Sequence, residues 1–325
     1  MNMMRRNFTL SLGASTGLLL SGCASTSSVP ALPTLKELGI YGAGAGSAFL
    51  PYAEGIAKFL SDKGLKTQAL TSAGSIENIR KIDAEPNRVA TVFLGTAYEG
   101  FTGTGAWTQG QKFTNLRALF PMYETSFQVA ALRSNGITGV AQLAGKRVGV
   151  SPAGGPAESF FKGLIEAIGL QAQIVNGTPA ALASDLLAGK IDALWQGAAL
   201  PIPALKQVAG AADAVIFGLS EAELAAMLRR FPFLSRASIA ANTYRGQGSV
   251  LQSVAAWNFI MAHKDLPELD AYWITQTVLS NAQPEQMHPT AAPTRAANAV
   301  HNSVIPFHPG AQRYYAQAGV RLPSK

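Results

Sequence analysis

Gly145-Lys146-Arg147-Val148-Gly149-Val150-Ser151-Pro152-Ala153-Gly154-Gly155-Pro156 is the stretch whose reading decides the fold. Its first half is a short apolar strand and its second half a Gly/Pro turn. Phe160, Phe161, Leu164, Ile165 and Ile168 follow at helical spacing, so strand, turn and amphipathic helix succeed one another within 25 residues. The grammar continues with Gln173-Ile174-Val175 as a strand. Thr178-Pro179 then starts a helix, threonine as N-cap and proline at the first helical position. Ile191-Asp192-Ala193-Leu194-Trp195 returns as a third strand.

The same order stands upstream. Leu35 to Tyr41 reads as a strand running into Gly42-Ala43-Gly44-Ala45-Gly46-Ser47, then a helix with Phe49, Ala53, Ile56, Ala57 and Leu60 on one face. Lys66 to Leu70 is a second strand. Thr71-Ser72-Ala73-Gly74-Ser75 turns into a second helix with Ser75 as its expected N-cap, and Val89 to Leu94 is a buried third strand. Two βαβαβ units in one chain imply two α/β lobes with parallel sheets. Ligands of such sheets bind where strands run into helices. Four such starts, Gly46-Ser47, Gly74-Ser75, Gly154-Gly155 and Thr178, offer unpaired amides and positive helix-dipole ends, a setting for a small carboxylate.

Composition fits a folded body. Hydrophobic residues make up 48% and charged residues 14%, which excludes a disordered chain. The net charge of +7 is spread thinly, with Lys146-Arg147 and Arg229-Arg230 its densest pairs, and no basic run interleaves with aromatics, so nucleic acid is not an expected partner. The chain opens MNMMRRNFTLSLGASTGLLLSGCASTSS. Arg5 and Arg6, an apolar run too short to span a bilayer and small residues before Cys23 read as an export signal over residues 1–22. Leu20-Ser21-Gly22-Cys23 resembles a lipobox, which makes Cys23 the lipidation site and residues 23–34 a tether; Arg5-Arg6-Asn7-Phe8 also resembles a twin-arginine signal. The body is expected on the periplasmic face of a bacterial membrane, exported by either route. Cys23 is the sole cysteine, so disulfides, cysteine metal sites and a thiol nucleophile are not expected.

Catalytic patterns are thin. His263, His288, His301 and His308 include no pair at the spacing of a zinc-binding helix, and His288 and His308 each precede proline in expected turns. There is no G-x-S-x-G elbow and no Walker loop, and the Gly42–Gly46 run misses the dinucleotide spacing. No enzyme activity, cofactor or metal is expected.

The motifs Thr71-x-x-Gly74-Ser75-x-Glu77-Asn78, Leu143-x-Gly145-Lys146-Arg147-Val148, Ile191-Asp192-Ala193, Thr243-Tyr244-x-Gly246-Gln247 and His308-Pro309-Gly310-Ala311-x-Arg313-Tyr314-Tyr315 carry a family resemblance. The mature chain resembles the TAXI class of solute-binding subunits of TRAP transporters. That resemblance implies a two-lobed, type II periplasmic-binding-protein-like α/β fold with a ligand cleft between lobes. Lobe 1 would comprise residues 35–123 and 240–325, and lobe 2 residues 124–239. It further implies a monomer that captures an organic acid or acidic amino acid and delivers it to TRAP membrane subunits; a ligand-binding sensor lipoprotein of the same fold is the alternative. Departures from the family pattern stand at Phe49-Leu50, where tyrosines are usual, at Gly95-Thr96, where an aspartate is usual, and at Gly155-Pro156-Ala157, where hydroxyls are usual.

The residues expected at the ligand are Gly46, Ser47 and Phe49 after the first strand, Thr71, Gly74, Ser75 and Asn78 after the second, and Thr96 and Tyr98 after the third. Tyr123 and Arg133 flank the crossing between lobes, Arg133 as a carboxylate clamp. Gly154, Gly155, Thr178, Trp195 and Gln196 complete the set from the second lobe.

Overall fold

The computed structural model describes residues 33–323 except 45, 46, 152 and 154, so the expected signal, Cys23, Gly46 and Gly154 lie outside the described residues. Its first unit runs β1 (Glu37–Tyr41), α1 (Phe49–Asp62), β2 (Lys66–Leu70), α2 (Ser75–Ala84), β3 (Arg88–Phe93) and α3 (Leu94–Thr102). A long strand, β4 (Leu116–Leu132), leads to the second unit: β5 (Arg147–Val150), α4 (Pro156–Ala167), β6 (Gln173–Val175), α5 (Pro179–Leu187) and β7 (Ala193–Ala198). There follow α6 (Pro203–Ala211), β8 (Ala214–Phe217), α7 (Glu221–Arg230), β9 (Leu234–Ile239), a second long strand β10 (Leu251–His263), α8 (Glu268–Leu279) and α9 (Pro309–Gln317).

The strands join in the order β2-β1-β3-β10-β4-β7-β5-β6, with β8 on β4 and β9 on β10. Both outer sets, β2-β1-β3 and β6-β5-β7, are parallel, as βαβ crossovers require, and each forms one lobe. Between them β4 and β10 run antiparallel and serve both lobes. β4 pairs with β10 up to Ser126 and with β7 from Ser126 to Ala131; β10 pairs with β9 over Leu251–Ala256 and with β3 over Asn258–Ala262.

α1 forms where expected, and Ala53, Ile56, Ala57 and Leu60 are buried on its inner face, but Tyr52 completes that face in place of the expected Phe49, which is half-buried at the helix start. The start of α2 differs by one residue. Gly74 takes the cap position at φ 108° and ψ −160°, a region open essentially to glycine alone. Ser75 becomes the first helical residue, and its Oγ accepts from the backbone N–H of Phe93 in β3 at 3.0 Å. The cap at Thr178 is as expected, with Oγ1 accepting from Ala181 N–H at 3.3 Å. The C-terminal motif docks on lobe 1. His308 opens α9, its backbone N–H donates to the Ala118 carbonyl at 2.9 Å, and the buried Tyr315 hydroxyl donates to the Leu119 carbonyl at 3.0 Å.

Candidate functional site

The carboxyl ends of β1, β2, β3, β5 and β7 face a cleft of about 710 Å³. Lobe 1 contributes Ala43, Gly44, Ser47 and Phe49, then Ala73, Gly74, Ser75 and Ile76, then Phe93, Gly95, Thr96, Glu99 and Trp107. Lobe 2 contributes Ser151, Ala153, Gly155, Pro156, Ala157, Ser159, Phe160 and Gly197, and the crossing strands supply Thr125, Phe127 and Asn258.

Helix starts dominate the polar side. α1, α2, α3 and α4 all begin at this cleft, and in none does the residue at the cap position bond its side chain to the first turn. An α-helix leaves its first N–H groups without partners inside the helix, and the aligned peptide dipoles make that end positive. Of the helices that begin elsewhere, α5, α7 and α9 are capped by Thr178, Ser220 and His308, while α6 and α8 also lack a side-chain cap, so it is the convergence of the four starts that marks the cleft. Two local bonds compete for donors here: Ser47 Oγ accepts from the N–H of Phe49, the first residue of α1, at 3.2 Å, and Glu77 Oε2 accepts from Ala73 N–H, just before α2, at 2.8 Å. Ser75 Oγ uses one of its lone pairs on Phe93 N–H, and its O–H can still donate.

No lysine, arginine or histidine lines the cleft among the described residues; Glu99 is its one ionisable side chain. Glu99 sits one helical turn beyond Thr96 and accepts a hydrogen bond from Trp107 Nε1 at 3.1 Å through Oε2. Partial burial raises its pKa, and the indole bond offsets only part of that. At the floor lies Asn258, 1% exposed. Its Nδ2 donates to the Tyr123 carbonyl at 2.8 Å and to Thr125 Oγ1 at 3.1 Å, which fixes the amide's orientation, since a flip would set oxygen against oxygen. Its Oδ1 has no partner among the described residues. An aromatic cluster makes the main apolar wall: Phe127 stacks on Trp195 at 5.6 Å, and Phe160 meets Phe127 at 5.0 Å and Phe93 at 5.7 Å, with Ser151 and Ser159 beside it on lobe 2.

Of the residues expected from sequence, the structure gathers Ser47, Phe49, Gly74, Ser75, Thr96 and Gly155 at the cleft. The other described ones lie outside the lining. Asn78 is fully buried, its Nδ2 donating to the carbonyls of Gly42 at 2.7 Å and Thr91 at 2.8 Å, so it braces the cleft wall from behind. Trp195 is buried with Nε1 donating to the Ala157 carbonyl at 2.9 Å, and Gln196 Oε1 accepts from Ser151 Oγ at 2.8 Å, one bond behind the lining. Tyr123 packs against Tyr52 and Phe49, and Tyr98 against Phe233. Arg133 is exposed and paired with Asp213 at 3.1 Å, Thr178 caps α5, and Thr71 is exposed outside the lining.

Sequence reasoning missed Glu99, Trp107, Thr125 and Asn258. Two had a readable signal: Glu99 follows Thr96 by three residues on the same helix, and Asn258 is a lone amide inside the apolar run Val254–Ala262.

Two kinds of comparison bear on this geometry. The model of the NMT1-like family matches residues 40–319. Among solved structures, the chain is similar to the periplasmic binding protein BugD, with 14% identity, TM-score 0.50 and coverage of 89% of this chain and 99% of that one. It is also similar to R. palustris Rpa4515 with adipate, with 16% identity, TM-score 0.51 and coverage of 88% and 93%. At these identities the likeness is one of fold, and it agrees with the two-lobed periplasmic-binding-protein architecture.

Proposed function

Because the chain belongs to the NMT1-like family and its lobes bring four uncapped helix starts to one cleft, we propose that it is a solute-binding protein that captures a small organic acid. The observation that carries this reading is the convergence of α1, α2, α3 and α4 on a space with no cationic side chain among the described residues. Backbone amides and the hydroxyls of Ser47, Ser75 and Thr96 supply the donors that a carboxylate needs. The adipate of Rpa4515, a carboxylate guest in a similar fold, supports the same ligand class. Among the described lining residues Glu99 is a lone carboxyl with no second acid or histidine, which favours capture over chemistry, so the ligand leaves unaltered.

The narrower assignment, a TAXI-type subunit serving TRAP membrane partners, rests on the sequence motifs. Asn78 and His308 within those motifs brace backbone, so their weight falls on the fold more than on the membrane partner. Export and a lipid anchor at Cys23 rest on the amino-terminal sequence. We place the lobes at residues 35–123 with 240–325 and at 124–239, in keeping with the change of β4 from β10 to β7 at Ser126.

Thermal-shift screening of the purified body against mono- and dicarboxylic acids tests the reading. A ligand at about 100 times its Kd stabilises by about 2.7 kcal/mol, which is visible as a rise in Tm. No shift with any carboxylic acid at millimolar concentration would overturn it. Membrane fractionation tests the anchor: Cys23→Ser should release the protein from the membrane fraction, and no change would refute lipidation there.

A further inference from the structure

The cleft has donors along its helix starts and two acceptors that those starts do not use. Glu99 is the single charged side chain of the described lining, and among the described residues only Trp107 Nε1 bonds its carboxylate. Asn258 Oδ1 is buried at the floor with no partner among those residues, and its orientation is locked by the Tyr123 carbonyl. A buried acceptor left unpaired is costly, as is an ionised carboxyl held partly out of water; both costs are relieved by a guest that brings donors. Phe49, Phe93, Phe127 and Phe160 supply an apolar wall, beside which Thr125, Ser151 and Ser159 also line the cleft.

Resting on the carboxylate reading above, we propose that Glu99 is the specificity-determining residue of this cleft and that the guest is an apolar zwitterion, an amino acid with a hydrocarbon or aromatic side chain. Its carboxylate lies at the helix starts, its ammonium group meets Glu99, and its apolar body lies on the phenylalanine wall. Asn258 Oδ1 takes a further donor of the guest. A second carboxylate on the guest has no cation to meet and faces the like charge of Glu99, so dicarboxylates are rejected. This parts from the expectation of an acidic amino acid and from the adipate of Rpa4515.

Titration calorimetry with three matched probes tests the idea on the unmodified protein: 3-phenylpropionate, 3-phenyllactate and phenylalanine differ only in carrying hydrogen, hydroxyl or ammonium at one carbon. Affinity should rise along that series, with phenylalanine at least about tenfold tighter than 3-phenylpropionate, as a charge-assisted hydrogen bond provides. In Glu99→Gln, which keeps the shape and can still accept from Trp107, the advantage of phenylalanine should collapse while 3-phenylpropionate binds as well or better. Adipate should bind more weakly than phenylalanine to the unmodified protein and gain in Glu99→Gln. Equal binding along the series, or adipate tighter than phenylalanine, would overturn the assignment to Glu99 while leaving a carboxylate-binding protein in place. Phenethylamine binding as tightly as phenylalanine would overturn the carboxylate reading instead and keep the role of Glu99. Binding of none of these probes would overturn both.

Discussion

Asn78 stands in a motif at a helix start, where an amide is readily taken for a ligand contact, yet its Nδ2 holds the carbonyls of Gly42 and Thr91. These bonds tie the loop after β1 to α2 and β3, so the residue shapes the cleft without facing it. Asn78→Ala should therefore lower stability by about 1–3 kcal/mol, the cost of stranding buried backbone acceptors. Chemical denaturation measures this; a change below about 0.5 kcal/mol would return Asn78 to the list of direct contacts. Glu99 makes the opposite case. Its folded pKa is raised, chiefly by burial, so the folded state resists its ionisation. Stability then declines as pH rises through that raised pKa, whereas in acid, with the carboxyl protonated in folded and unfolded chains alike, the penalty vanishes. Without ligand, Glu99→Gln should melt higher than the unmodified protein at neutral pH, and the two should converge once pH falls below the ordinary carboxylate range. A lower melting point for Glu99→Gln at neutral pH would show the carboxylate to be structural.

At the scale of elements, what could be read from sequence follows how local each determinant is. The start of α5 was legible because Thr178 and Ala181 are three residues apart and the cap is complete within that span. The start of α2 was misplaced by one residue because the partner of Ser75 is Phe93, on a different strand. Gly74 is needed there: at φ 108° and ψ −160° a side chain is strained even though no atom lies within 4 Å of where a Cβ would stand. Gly74→Ala should cost about 1–3 kcal/mol and shift the first amides of α2 away from the cleft. Ligand affinity should fall with it, and retained affinity would remove α2 from the binding edge. Gly197 is constrained differently, since an added Cβ would lie 2.1 Å from the Phe127 ring. That close approach lets the Phe127 ring reach across to Trp195 and close the cleft floor.

Across the whole molecule, β4 and β10 are the two long strands that belong to both lobes, and the cleft lies where their middle residues Thr125, Phe127 and Asn258 are overhung from each side. Closure of the lobes about these strands on ligand binding should lower the radius of gyration, and small-angle scattering with and without a saturating ligand reads that change. An unchanged radius with a bound ligand would assign the protein a preformed, rigid site. The parallel units, their helices and the glycine-rich turns at their edges were determined by the sequence alone, because periodicity and turn chemistry are written within a few neighbouring residues. The tertiary structure decided that β10 inserts between β3 and β4, that Asn78 and Trp195 turn into the framework, and that Glu99 and Asn258 come to one cleft. Those outcomes depend on strand pairing and packing between segments as far apart as Ala43 and Asn258, and no local pattern in a chain records which distant partner a side chain will meet.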